Sequence, residues 1–290
     1  MKIGNYEIHP IETGRFALDG GAMFGVVPKV MWSKLYPCDE NNLCNWIMRC
    51  LLVVDGDRKI LIDTGIGTKQ PERFFSNYFL NGDASLDKSL AGYGFTVDDI
   101  TDVILTHLHF DHCGDAIRWN EEKTDYIATF KNATYHISRK QWDWATHPNN
   151  REKASFLKEN ILPIKEKGKL RLIDQDCELF PGIYVRLFYG HTDGQVIPFI
   201  HYKHSTVVFM ADVLPSAAHI PLPYIMSYDT RPLITLEEKE KFLKEAAQNG
   251  YVLFFEHDLY HECCTVEETE KGVRLKEAFR IDELNPNAGI

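Results

Sequence analysis

The 290-residue sequence predicts a mixed α/β fold, two mixed sheets packed together with helices outside. Three observations lead there. A group of apolar, β-prone runs followed by helical stretches comes twice along the chain. The runs are punctuated by Asp-Gly, Pro-Gly and Lys-Gly turn signals. The alternation lacks the regular strand–helix repeat of a barrel or a doubly wound sheet. With no internal repeat, low-complexity tract or Pro/Gly/Ser linker, residues 1–290 are expected to form a single domain.

The elements follow in order. YEIHPIET (6–13) alternates weakly and reads as a strand. NWIMRCLLVVDG (45–56) and KILIDTG (59–65) read as a hairpin closed at Asp55-Gly56. GTKQPERFFSNYF (67–79) and SLDKSLAGYG (85–94) read as helices, the second stopped by its glycines. Thr96 to Asp99 has the spacing of a capping box that opens one turn before the strand DVILT (102–106). ATYHIS (133–138) is a strand, and Ser138 to Gln141 opens a helix that Pro148 ends. A further helix is expected over 151–162. KLRLI, ELFPGIYVRLFY and VIPFIHYKHSTVVFMAD bring strands back, with turns at Pro181-Gly182 and near Lys203-His204-Ser205. Thr235 to Glu238 caps a helix that ends at Asn249-Gly250. YVLFFEH (251–257) is a buried strand, and CCTVEE with VRLKEAF makes a last hairpin.

Composition excludes several functions. The net charge is −10, from 42 acidic and 32 basic residues, and no basic run appears, so a nucleic-acid surface is not expected. MKIGNYEIHP has no apolar signal core and no stretch approaches a membrane span. Seven scattered cysteines read as free thiols in a reducing compartment, which points to the cytoplasm.

The densest chemistry is TDVILTHLHFDHCGD (101–115), where His107, His109, Asp111 and His112 crowd six positions. Side chains at i and i+2 of an extended chain share a face, which aligns His107 with His109. Asp111 and His112 follow where the chain leaves the strand, so the run suggests two neighbouring metals. Catalytic metal pairs lie about 3.5–4 Å apart. Imidazole with carboxylate suits zinc, iron, cobalt or manganese, and an open catalytic site rather than a closed structural one. Four local ligands cannot complete two ions. His191 after VRLFYG, Asp212 after TVVFMA and His257 after YVLFFE share one pattern, a ligand-type residue directly behind an apolar strand, and a carboxylate such as Asp212 can bridge two cations. A lone histidine at a strand end is usually only a satisfied polar group. The run of four changes the balance, because burying such groups together is costly without a metal.

LIDTG (61–65), THLHFDHCGD (106–115), GHTDGQ (190–195), MAD (210–212) and EHD (256–258) together resemble the metallo-β-lactamase superfamily. The resemblance implies a four-layered αββα sandwich with two divalent metals, zinc foremost. It assigns His107, His109 and His191 to one metal and Asp111, His112 and His257 to the other. Asp212 bridges, and Asp63 supports the ligands from behind. The spacing and the closing EHD resemble the lactonase branch, which includes N-acyl homoserine lactonases and methyl parathion hydrolase. The implied activity is hydrolysis of a small lactone or ester by a bridging hydroxide, with Asp111 passing a proton to the leaving oxygen. Hydrolysis of organophosphate triesters and an iron-dependent redox or dioxygenase chemistry are the alternatives. The homoserine lactonases carry a tyrosine where this chain has Pro215. Tyr224, Tyr228 or His219 is expected to replace it. DGGAMFGVVPKVMW (19–32) reads as a packed loop, or else as a pocket wall, led by Phe24, or a homodimer contact. The acidic face of LEEKEKFLKEAA is expected to be solvated.

Overall fold

The computed structural model describes residues 2–3, 6–167, 169–202 and 205–284, so the expected turn residues Lys203 and His204 lie outside the described residues. The chain forms two compact units that are interleaved in sequence. One comprises Met1–Arg15, Met48–Asp176 and Asp193–Val196, the other Phe16–Ile47, Cys177–Thr192 and Ile197–Ile290.

Most elements lie where the residue pattern puts them. The first sheet has seven strands in the order Lys2–Ile3, Tyr6–Asp19, Leu43–Asp55, Arg58–Ile62, Asp102–Ile104, Thr134–Ser138 and Leu170–Ile173. Its hairpin turns at Gly56, whose φ of 57° suits glycine. From Arg58–Ile62 onward the pairings are parallel, so the chain crosses over through helices between strands. In the first unit's core, strand residues Leu52, Leu61, Val103 and Ile137 lie with helical Leu86, Leu90, Trp142 and Ile161. Helix Leu86–Gly92 starts at Ser85, whose Oγ accepts from the Lys88 amide, and Ser138 caps Arg139–Thr146 in the same way through Gln141. The capping box at Thr96 and Asp99 is present, on a single 3-10 turn.

The second sheet also has seven strands: Cys177–Phe180, Ile183–Phe188, Gln195–Tyr202, Ser205–Phe209, Val252–Phe254, Cys263–Thr269 and Gly272–Phe279. Ser205–Phe209 and Val252–Phe254 pair in parallel, and helix Pro232–Asn249 is the crossover between them. Phe242 of that helix meets Phe199 of the sheet with ring centroids 6.1 Å apart.

Three elements differ from expectation. The helix expected over 67–79 is one turn, Glu72–Phe75. The helix expected over 151–162 is Lys158–Glu166; residues 151–155 are turns, and Asn149 Oδ1 accepts the amides of Arg151 and Glu152 in place of a helical ladder. The long helix begins at Pro232, not at Thr235, because proline at the first position supplies helical φ and needs no donor. All seven cysteines are free thiols. Among the described residues, no helix is long and apolar enough to cross a membrane.

Candidate metal centre

Within the first unit the HLHFDH run sits on a turn, not on the strand itself. The strand ends at Ile104, and His109 is the N-cap of the short helix Phe110–Cys113. The turn still brings His107 and His109 together, with Nε2 of one 3.0 Å from Nδ1 of the other. Asp111 and His112 occupy the helical turn, 3.7 Å apart from Oδ2 to Nε2.

Asp63 organises this run. Its φ of 59° is in the left-handed region, which leaves the strand Arg58–Ile62 and buries the carboxylate completely. Its Oδ1 accepts from the Thr106 amide at 2.7 Å, and its Oδ2 accepts from the Thr106 hydroxyl at 2.6 Å. The same Oδ2 lies 3.1 Å from Nδ1 of His112. The Thr106 hydroxyl, having given its proton to Asp63, accepts from Nδ1 of His107 at 3.1 Å. Both rings therefore carry their proton on Nδ1 and turn the Nε2 lone pair away from Asp63. His109 is held the other way round. Its Nε2 lies 2.9 Å from Oε1 of Glu152, whose second oxygen accepts from Nε1 of Trp144 at 2.6 Å. That leaves Nδ1 as the donor atom.

The second unit carries His191, Asp212 and His257. Ser205–Phe209 ends in Met210 and in Ala211, whose φ of 41° is strained for a residue with a Cβ and swings Asp212 off the strand. Oδ2 of Asp212 is 3.1 Å from Nε2 of His191, and Oδ1 is 3.2 Å from Nε2 of His257. Behind them, Nδ1 of His191 meets Oδ1 of Asp229 at 2.9 Å, and Nδ1 of His257 donates to the Ile47 carbonyl at 2.9 Å. Burial disfavours the imidazolium of His191, yet Asp212 and Asp229 together hold its pKa up at about 10.

The donors fit a metal. Five histidines have one ring nitrogen committed to an outer acceptor, and the other directed at a further ligand-type atom. Nε2 of His107 and Nδ1 of His109 both present lone pairs at 3.0 Å, an arrangement that a cation relieves. Carboxylate and carbonyl partners behind metal-bound imidazoles fix the tautomer and raise ligand basicity. Nitrogen and oxygen donors without sulfur suit a divalent ion of borderline softness.

The expected pocket residues divide. A recess in the second unit is lined by Asp212, Pro215, His219 and Tyr224. Phe24 is fully buried, stacked between Trp32 and His219 at centroid distances of 5.1 and 4.5 Å. Its segment is not a loop throughout, because Asp19 caps a helical turn over Gly20–Met23 and a second turn covers Lys29–Trp32. His219 is buried too, with Nδ1 on the Ser216 hydroxyl and Nε2 on the Met23 carbonyl. Both ring nitrogens are thus occupied. Tyr228 is exposed.

Several residues carry no sequence signal. Asp229 and Glu152 lie in polar segments behind no apolar strand. Phe74, Tyr78 and Phe110 form an aromatic group, with centroids 5.2 Å (Phe74–Phe110) and 4.6 Å (Tyr78–Phe110) apart. Burial, with a smaller contribution from the Asp111 carboxylate, pushes the Tyr78 phenol up to about 12. Lys239, inside LEEKEKFLKEAA, is buried. Only the Glu237 and Glu240 side of that helix is solvated, paired to Lys241 and Lys244.

Comparison with known proteins places these features in a family. The metallo-beta-lactamase superfamily model matches residues 49–257. An N-acyl homoserine lactonase of Bacillus thuringiensis is 25% identical over 243 residues, which cover 79% of this chain and 87% of the relative. A solved structure of a probable metal-dependent hydrolase from Staphylococcus aureus matches with a TM-score of 0.88 and 31% identity, over 98% of this chain and 100% of that one. AidC, a dizinc quorum-quenching lactonase solved with its product, shares the fold with a TM-score of 0.79 at 23% identity, over 96% and 97%. With more than half of its length inside the family match and relatives of this kind, the chain belongs to the metallo-β-lactamase superfamily, as a metal-dependent hydrolase.

Proposed function

We propose that the chain hydrolyses small lactones and esters with two divalent cations, zinc foremost, as one catalytic domain. His107, His109 and His191 would hold one cation, Asp111, His112 and His257 the other, and Asp212 both. The observation that carries this reading is the outward anchoring of five imidazoles, on Thr106, Glu152, Asp63, Asp229 and the Ile47 carbonyl, which aims the other ring nitrogen of each at a further ligand-type atom. When bound, such cations make water nucleophilic near neutral pH and polarise the acceptor oxygen.

The protein's own groups supply the rest. Asp212 has a histidine on each oxygen, which suits it to bridge. Asp111, partly open to solvent beside His112, is the group to pass a proton to the leaving oxygen. Phe74, Tyr78 and Phe110 offer an apolar wall for an acyl chain. Tyr224, in the recess beside Asp212, is the hydroxyl placed to assist the substrate carbonyl where the lactonase branch has its tyrosine and this chain has Pro215. The relatives named as lactonases favour a neutral acyl lactone as substrate. Phosphotriester hydrolysis is the second reading, favoured by the missing hydroxyl at Pro215.

The test is a panel of lactones, aryl esters and phosphotriesters on protein loaded with zinc, manganese, cobalt or iron, with metal content measured alongside. The expected result is two metal equivalents and lactone turnover, with His109→Ala and Asp212→Ala both abolishing metal-dependent hydrolysis. Full activity in either variant overturns the ligand assignment. Turnover of peroxide or a sulfur donor by the iron form alone would instead establish redox chemistry.

A further inference from the structure

Lys239 is the least expected charge in the second unit. It lies in the helix Pro232–Asn249 and is 1% exposed. Its Nζ donates to three backbone carbonyls, His219 at 2.7 Å, Pro221 at 3.1 Å and Tyr224 at 2.8 Å. An ammonium has three protons, so the three carbonyls use all of them. All three belong to the segment after Asp212 that walls the recess, which His219, Tyr224, Ile225 and Met226 line beside Asp212.

This segment has little regular structure to hold it. It contains one 3-10 turn, Ala217–His219, followed by bends and turns. Its start is tied by the Ala217 amide donating to Oδ2 of Asp258, and its end by the Met226 amide donating to Oδ2 of Asp229. Between those ends, Lys239 is the one point at which three carbonyls converge among the described hydrogen bonds. A buried cation is costly unless its protons are satisfied, so the arrangement is retained at an energetic cost. Burial lowers the amine's pKa to about 7, and Asp229 acts the other way. A leucine or methionine would fill the same volume without that cost. The charge-assisted bonds, each stronger than a neutral one, tie down a segment with little regular structure.

We propose that Lys239 is a positioning residue: its ammonium fixes the 217–226 segment, and with it the place of Tyr224 beside Asp212. The effect on turnover rests on the hydrolase reading above; the fixing of the segment does not. Lys239 reaches neither substrate nor metal and acts through the carbonyls it holds.

The experiment compares the zinc-loaded full chain with Lys239→Met, which keeps the volume and loses all three donors, and Lys239→Gln, which keeps two. Hydrogen exchange is measured by mass spectrometry, zinc content by elemental analysis, and kinetics with p-nitrophenyl acetate and p-nitrophenyl octanoate. Exchange over 217–226 is expected to accelerate by about tenfold or more in the methionine variant and less in the glutamine variant, with the sheets unchanged. Zinc content stays at the wild-type level. The kcat/KM falls by about tenfold for both esters in the methionine variant and by less in the glutamine variant. Acceleration spread over the whole unit, unchanged exchange at 217–226, or wild-type kcat/KM in the methionine variant overturns the proposal. If the methionine variant fails to fold, the glutamine variant carries the same comparison. If the wild type hydrolyses no substrate in the panel, the hydrolase reading falls, and the exchange pattern alone upholds or overturns the clamp.

Discussion

His109 shows how much at the residue scale depends on a partner that is silent in sequence. Five of the proposed ligands are histidines, and each is useful only if the correct ring nitrogen is free. Glu152 determines this for His109, and Asp229 for His191. Neither touches a proposed metal-binding atom, so each would act by orienting a ring. Glu152→Gln and Asp229→Asn keep the shape of the acceptor but remove its charge. Each is expected to weaken metal binding by about 10–100-fold, with the fold intact by circular dichroism, as read from competition with a chromophoric chelator. Wild-type affinity in both variants would show that the outer partners are incidental.

The helix Pro232–Asn249 does more at the element scale than join two strands. Thr235, Glu238, Lys239 and Phe242 share one face by their i, i+3 and i+4 spacing. Glu238 accepts the amides of Tyr189 and Gly190 at 2.8 and 2.9 Å, directly before His191. A Cβ on Gly190 would lie 2.4 Å from the Thr235 Cα, a backbone atom that cannot step aside. The helix thus sets the height of the GHTDGQ turn, which carries His191. Gly190→Ala is expected to destabilise the protein by about 1–3 kcal/mol, as for overpacking of a core, measured by urea unfolding. Urea midpoints that match the wild type would mean that the helix does not press on this turn.

For the whole molecule, buried titratable groups make stability depend on pH. Burial lowers the His219 pKa to about 3, opposed in part by its bond to the Met23 carbonyl, and Lys239 lowers it further. A solvated histidine titrates near 6.5. Below that pH the unfolded chain takes up a proton that the folded chain refuses, so stability falls as pH drops from about 6.5 toward 3. The contribution of this site is complete above that window. His219→Asn removes the titration, and its melting temperature is expected to fall less steeply than the wild type's over the same window. Parallel slopes would show that acid sensitivity arises elsewhere.

Much of the protein was legible before folding. Turn residues marked the hairpins, apolar periodicity marked most strands, and HLHFDH with three later strand-end residues supplied the proposed ligands, because backbone and metal preferences act over a few residues. The resemblance carried by five short motifs pointed to the superfamily that the comparisons then showed. Helix starts were less legible: Pro232 outweighed the capping pattern at Thr235, and the Asn149 turn took the place of the helix start expected at 151, since competing local hydrogen bonds differ by little energy. The burial of Lys239, the roles of Glu152 and Asp229, and the loss of Phe24 from any open wall were set by tertiary structure alone. In each case the decisive partner is a backbone carbonyl, a carboxylate or a ring in a segment with no pattern of its own. A side chain's neighbours across the fold determine its charge state and aim, and those neighbours exist only once long-range contacts have formed.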